Sequence, residues 1–96
     1  MTELQKISEI TGVSELDIIG KSRKSEIVEA RQMLYCFLFY EEGMKLSEIG
    51  RKLNRTSATI IHGIGKMKGL CQIGDRRTLE LIRKVREASN DINKYN

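Results

Sequence analysis

Apolar residues recur at three- and four-residue steps along most of the chain, and polar residues fill the positions between them. This periodicity is typical of amphipathic helices, whereas a strand would show alternation at every second position. It predicts an all-α fold, a compact bundle of about six helices in one domain formed by residues 1–96. The expected helices cover residues 2–11, 14–20, 25–42, 45–53, 57–70 and 75–89, and residues 90–96 are expected to fray.

The helices outside the centre of the chain have recognisable caps and apolar faces. Ser14 is expected to cap the second helix and Ser25 the third, because serine accepts hydrogen bonds from the first free backbone N–H groups. The apolar faces predict core residues in the second helix (Leu16, Ile18, Ile19), the third (Ile27, Ala30, Leu34, Phe37, Leu38, flanked by Tyr35, Phe39 and Tyr40) and the last (Leu79, Leu81, Ile82, Val85, Ala88).

Residues 45–70 predict two short helices separated by a tight turn. Gly50 lies on the apolar face of the first helix, where a missing side chain is expected to let a second helix approach closely. Asn54 follows the last apolar residue, and asparagine tolerates the left-handed conformation that ends a helix. Apolar faces are formed by Leu46, Ile49 and Leu53 in the first helix and by Ile60, Ile61, Ile64, Met67 and Leu70 in the second.

The second of these two helices begins with Thr56 or Ser57 as its cap. The spacing is that of a helix-turn-helix. An apolar residue is followed by a small one, by an asparagine four residues after the small one, and by a branched residue six further on. An αα-corner in any small bundle is the competing interpretation, because such corners are common and do not define a function.

Charge is concentrated around the predicted helix-turn-helix. The net charge is +4, yet residues 21–68 carry ten Lys and Arg against five Glu, which gives +5 for that segment alone. A basic surface of this kind suits nucleic acid, although a solvated basic face is the alternative. The loop that carries Lys21, Arg23 and Lys24 is either a solvated connection or an arm that reaches phosphates or a minor groove.

Catalytic and metal-binding patterns are missing from the sequence. His62 is the only histidine and is expected to be packed, and Cys36 and Cys71 lie far apart without a CxxC spacing. No phosphate-binding GxxxxGK[ST] motif occurs, so we expect neither an enzyme nor a cofactor or nucleotide. No apolar run approaches the roughly 20 residues that cross a bilayer, and the start is not a signal peptide, so we expect a cytoplasmic protein with reduced thiols.

Several motifs occur together and in a fixed order over about residues 7–67. They are Lys21-Ser22-Arg23, Ala30-Arg31-Gln32-Met33, Leu46-Ser47-Glu48-Ile49-Gly50 and the run from Arg55 to Gly63, RTSATIIHG. This combination resembles the C-terminal DNA-binding domain of the bacterial replication initiator DnaA, a helix-turn-helix domain of the Trp-repressor-like class. In that family an Asp-His pair occupies the positions of Thr56 and Ser57, and a threonine occupies that of Ala58.

The resemblance implies a role for each matching residue and double-stranded DNA as the partner. The sequence leaves the oligomeric state open, and a monomer is favoured. Arg23 resembles the loop arginine that enters the minor groove, while Arg31 and Gln32 resemble phosphate contacts from the long helix. From the residues alone, Arg31 would instead pair with Glu26 or Glu29. The implied DNA-binding set is Lys21, Arg23, Arg31, Gln32, Lys45, Leu46, Ser47, Arg55, Thr56, Ser57 and Thr59. The competing class is a non-enzymatic protein-interaction module on the same fold.

Overall fold

The computed structural model describes the backbone of residues 2–94 and the side chains as far as Ala88, and this part of the chain contains helices and no strand. The all-α prediction is therefore confirmed. The last helix continues past residue 90, where fraying was expected, and residues 95 and 96 lie outside the described part. The six α-helices are α1 (Glu3–Thr11), α2 (Glu15–Ile19), α3 (Ser25–Cys36), α4 (Leu46–Leu53), α5 (Ser57–Gln72) and α6 (Arg76–Lys94).

Hydroxyl side chains cap the first two helices, but the third begins differently. The Thr2 hydroxyl accepts from the Gln5 N–H at 3.2 Å, and the Ser14 hydroxyl accepts from the Asp17 N–H at the same distance. Lys24, not Ser25, is the capping residue of α3, and its side chain makes no capping hydrogen bond. The predicted Ser25 cap is therefore wrong, because Ser25 already lies within the first turn.

The long third helix widens at its end instead of continuing regularly to residue 42. Residues Phe37–Glu41 form a π-helical turn, in which the Glu42 N–H donates to the Phe37 carbonyl at 3.1 Å. The wider turn holds Phe37 and Leu38 in the core at 1% and 0% exposure, while Tyr40 is exposed. A π turn accommodates one extra residue, so every side chain after it is rotated relative to a regular helix.

Helix α3 lies at the centre of the bundle and packs against α1, α2 and α5. Its predicted stripe is buried throughout, and Tyr35 is buried as well. The second helix meets the core through Ile18 alone, because a helix of five residues presents only one face inward. Leu16 is 79% exposed and Ile19 is 43% exposed, so their predicted core positions are wrong. In α6, Leu79 is likewise exposed.

A glycine sets the distance between α3 and α5. A Cβ atom on Gly63 would lie 2.7 Å from Cδ2 of Tyr35, closer than side chains approach one another. The Tyr35 ring therefore occupies the space that any other residue at position 63 would need. This contact allows the start of α5 to lie close against the centre of the bundle.

No helix within the described residues is both long enough and apolar enough to span a membrane.

Candidate nucleic-acid interface

The two central helices form a helix-turn-helix, as their spacing predicts. Asn54 has φ 55° and ψ 51°, the left-handed conformation that ends α4. The Arg55 N–H then donates to the Gly50 carbonyl at 2.7 Å. A Cβ atom on Gly50 would lie 2.5 Å from the Arg55 carbonyl oxygen, so glycine is needed because the turn itself folds back onto this position.

A cap and an apolar contact fix the second helix on the first. Thr56 is the capping residue, and its hydroxyl accepts from the Thr59 N–H at 3.2 Å. Ile49 and Ile60 are completely buried between the two helices. Ile61 is 53% exposed, so its predicted place in the apolar stripe is wrong. It follows Ile60 by one residue, so its side chain is rotated by about 100° around the helix from that buried one.

The first two turns of α5 present a continuous exposed surface. The Thr56 and Thr59 hydroxyls lie 3.0 Å apart at its edge. Its remaining exposed members are Ser57, Ala58, Ile61 and His62. The surface therefore combines hydroxyl groups, an imidazole and apolar side chains at the N-terminal end of a 16-residue helix, where free N–H groups favour anions.

Arg31 is occupied by backbone carbonyl groups rather than by a carboxylate. Its Nε donates to the Ile18 carbonyl at 2.8 Å, its Nη1 to the Ser22 carbonyl at 2.9 Å and its Nη2 to the Asp17 carbonyl at 3.0 Å. The predicted pairing with Glu26 or Glu29 is therefore wrong. Glu29 instead pairs with Arg77 at 3.1 Å. Arg31 ties α3 to the end of α2 and to the start of the basic loop.

Arg55 donates to the same stretch of backbone from the turn of the helix-turn-helix. Its Nη2 donates to the Gly20 carbonyl, and its Nη1 donates to the Leu53 carbonyl at 3.1 Å. Burial, together with the neighbouring Arg55 charge, lowers the pKa of the Arg31 guanidinium below its ordinary value. The Arg31 guanidinium remains cationic at neutral pH because arginine starts from a very high pKa.

A shallow cavity of about 140 Å³ brings several of the predicted residues together between α3 and α5. Gln32 is only 9% exposed and is one of the residues that line this cavity. The lining includes Arg31, Gln32, Arg55, Thr59 and His62. A groove with two guanidinium groups, an amide, a hydroxyl and an imidazole suits an anion such as a phosphate.

The other predicted residues lie on two segments of the surface. Lys45, Leu46 and Ser47 begin α4, where Lys45 and Ser47 are exposed and Leu46 is half-buried. The Glu48 carboxylate accepts from the Lys45 N–H at 3.2 Å, which satisfies one of the free groups at this helix end. Lys21 and Arg23 are exposed in the loop between α2 and α3.

His62 also lines the groove between α3 and α5, although a lone histidine beside isoleucines was expected to be packed. The structure exposes it and places it in the groove with Arg31 and Arg55. The sequence contained a signal for this position: His62 follows Thr59 by three residues and Ala58 by four, so the three side chains lie on one face of the helix. Within the described residues, no group of three or more His, Cys, Asp or Glu side chains is placed to hold a metal ion.

Helix α5 has an exposed surface at its N-terminal end, packs against the short helix α4 through a left-handed turn, and is bordered by arginines. These features define the class of helix-turn-helix DNA-binding domains. The chain belongs to the family of bacterial DnaA protein helix-turn-helix domains, whose sequence model matches residues 4–67. This match confirms the resemblance and extends it to the start of α1.

Curated relatives carry the same family name. A chromosomal replication initiator protein DnaA from Leptospira biflexa is 36% identical over 62 residues, covering 65% of this chain and 14% of the relative. Its namesake from Kosmotoga olearia is 32% identical over 82 residues, covering 85% of this chain and 18% of the relative. The chain thus spans less than a fifth of the length of these curated relatives. No solved structure matches the chain significantly.

Proposed function

We propose that the chain binds double-stranded DNA sequence-selectively, with the start of α5 in the major groove and the loop of residues 21–24 in the adjacent minor groove. The observation that carries this proposal is the shared anchoring of both elements. Arg55 belongs to the turn that orients α5, and it donates to the Gly20 carbonyl at the base of the loop. A protein that reads two neighbouring grooves needs such a fixed spacing between its two contacts.

Base reading is assigned to the exposed surface at the start of α5. Hydroxyl groups such as that of Ser57 meet either a donor or an acceptor on a base edge. Ala58 and Ile61 supply apolar contacts of the kind that thymine methyl groups accept. Because these groups are short, we propose moderate selectivity rather than the strong discrimination of a bidentate arginine or asparagine.

Backbone positioning is assigned to the residues around that surface. The α4 N-terminus and the groove between α3 and α5 both present donors that suit phosphate oxygens. Arg31 retains two unused N–H groups, because three of the five guanidinium donors already bind carbonyls. The proposed contacts to the sugar-phosphate backbone are Lys21, Arg31, Gln32, Lys45, Leu46, Ser47, Arg55, Thr56 and Thr59.

Arg23 is proposed as the minor-groove residue. It is exposed on a loop whose base is held by five arginine hydrogen bonds, three from Arg31 and two from Arg55. A narrow, A·T-rich minor groove attracts arginine through its enhanced negative potential. We further propose that the domain acts as a monomer in the cytoplasm, without a nucleotide or other cofactor of its own.

Selection from a random duplex library at 100 mM salt, followed by titration of the selected duplex, tests the proposal. About five phosphate neutralisations predict a loss of affinity of roughly 500-fold between 50 and 200 mM salt. A selected consensus with an A·T-rich flank is expected. A flat salt response, or no duplex binding at 50 mM salt, would contradict DNA binding and favour a protein-interaction module.

A further inference from the structure

An apolar cavity lies away from the proposed DNA surface, between α3, the π turn, α5 and α6. Its volume is about 220 Å³. Its deepest walls are apolar side chains that are almost completely buried, namely Met33, Phe37, Ile64, Met67 and Val85. Tyr40, Lys68 and Arg86 also line it and are exposed, so they form its rim.

The size and lining of this cavity suit a compact apolar molecule. An apolar cavity of about 150 Å³ is already large enough to hold a benzene ring and stays dry when empty. A space of 220 Å³ therefore has room for a bicyclic aromatic group. Two of the walls are methionines, whose unbranched side chains adapt to ligands of different outline.

The rim determines the charge that such a molecule should carry. Its charged groups are Lys68, Arg86 and Glu41, a sum of +1. Glu41 lies 3.9 Å from Nε of Arg86, so these two opposite charges face each other at the rim. No ion pair is formed by Lys68 with any carboxylate of the described residues. The ammonium of Lys68 is thus the rim charge left for a ligand.

We propose that this cavity binds a small apolar carboxylate, with its aromatic or aliphatic body between α3, α5 and α6 and its carboxylate on Lys68. The proposal is independent of DNA binding, because the cavity and the groove around Arg31 share no residue. Lys68 and Met67 lie on the C-terminal half of α5, two turns beyond the surface assigned to base reading.

Calorimetric titration of the 96-residue chain with three naphthalene derivatives tests the charge preference. The probes are 2-naphthoate, neutral 2-naphthamide and cationic 2-naphthylmethylammonium. A dissociation constant of about 1 mM or below is expected for the carboxylate, given its size. The amide should bind roughly threefold to tenfold more weakly, because it lacks the charge-assisted contact, and the ammonium more weakly still.

A pair of lysine variants locates the charged contact. Lys68→Gln should reduce the affinity for 2-naphthoate to about that for 2-naphthamide and leave the amide itself unaffected. Lys66→Gln is the matched control, because Lys66 is exposed on the same helix but does not line the cavity. Both substitutions lie on the surface and leave the core intact, so unfolding does not confuse the comparison.

The thiol of Cys71 reports on occupancy of the cavity itself, since Cys71 is one of its lining residues. Cys36 also lines the cavity, so the affinity for 2-naphthoate is measured again in a Cys36→Ala background. In that background, 2-naphthoate should reduce the rate at which N-ethylmaleimide alkylates Cys71 in proportion to the fraction of cavities left empty. Equal affinities for all three probes, equal effects of the two lysine variants, or no protection of Cys71 at saturation would each overturn the proposal.

Discussion

Arg31 and Arg55 come from different parts of the fold and donate to the same six-residue stretch of backbone. Arg31 reaches it from the middle of α3 and binds the carbonyls of Asp17, Ile18 and Ser22. Arg55 reaches it from the turn before α5. The two guanidinium groups thereby fix the loop of residues 21–24 relative to α5, although the loop and α5 are more than thirty residues apart in the sequence.

The shared anchoring predicts that Arg31, in addition to its proposed phosphate contact, affects DNA selectivity through the loop. Arg31→Lys keeps the positive charge, but one ammonium cannot donate to three separated carbonyls. We expect Arg31→Lys to relax the preference for A·T-rich flanks as much as Arg23→Ala does. The double variant should show no further loss of flank preference, because both changes affect the same minor-groove contact. Selection on one randomised duplex library measures all three preferences.

Arg51→Lys is the control for that experiment, because Arg51 is an exposed arginine on α4 that is not part of the anchoring. It should leave the flank preference unchanged. If Arg31→Lys weakens all duplexes equally and keeps the flank preference, Arg31 contributes only its phosphate contact and its hydrogen bonds to the loop have no effect on selectivity.

Two glycines on neighbouring helices should respond in opposite directions to alanine. Gly50→Ala places a methyl group against the Arg55 carbonyl and should lower the free energy of unfolding by about 1–3 kcal/mol. Gly65→Ala meets no atom within 4 Å and should raise it by about 0.5–1 kcal/mol, since alanine favours a helix interior. Urea unfolding followed by circular dichroism measures both, and equal effects would refute the described turn.

Ile49 lies on the inner face of the helix-turn-helix and Ile61 on its outer face, so their substitutions should have different effects on stability. Ile49 is completely buried, so Ile49→Ala should lower the free energy of unfolding by about 2–5 kcal/mol. Ile61 is 53% exposed, and Ile61→Ala should change it by less than about 0.5 kcal/mol. The same Ile61 variant should weaken binding to the selected duplex, which a titration with labelled DNA measures. A large loss of stability for Ile61→Ala would show that this residue faces the core.

Acid should remove the cap of the last helix. The Asp75 carboxylate accepts from the Thr78 hydroxyl at 2.7 Å and from the Thr78 N–H at 3.0 Å, and these bonds hold the pKa of that carboxyl below its usual value. A carboxyl with a lowered folded-state pKa stabilises the fold above its unfolded pKa of about 4, and the contribution disappears as pH falls through the folded value.

Asp75→Ala should therefore lower the thermal unfolding midpoint at pH 7, and the difference from the unaltered chain should narrow below pH 4 or so. Thermal unfolding of both chains between pH 7 and pH 2 measures this difference. A gap of constant size across the range would show that the ionised carboxylate contributes nothing beyond its neutral form.

The helix-turn-helix could be predicted from the sequence because its determinants are local. Gly50, Asn54 and Thr56 each act within a few residues of themselves. Asn54 ends α4 as predicted and Thr56 is the cap out of the two that were predicted, whereas Gly50 makes room for the turn and not for the second helix. The hydrogen bonds of Arg31 could not be predicted, because their partners lie 9 to 14 positions away in the sequence and come close to Arg31 only in the folded chain. A nearby glutamate was the only partner that helical spacing could offer.

Errors elsewhere have a similar physical origin. The apolar residues of α2 looked like core, but so short a helix buries only Ile18 and leaves Leu16 outside. The π turn after Cys36 left no trace in the periodicity, because one extra residue within a run of apolar and aromatic side chains does not interrupt an apolar pattern. Both errors concern where a side chain points rather than which element it belongs to.

The contact between Tyr35 and Gly63 restricts how this sequence can change over time. A single substitution of Gly63, even to alanine, meets the tyrosine ring, so it is tolerated only after position 35 has become smaller. If a smaller residue first replaces Tyr35, a gap forms beside Gly63 that an alanine side chain can then fill. The two positions are therefore expected to vary as a pair among related chains, and the larger residue at either one predicts a smaller residue at the other.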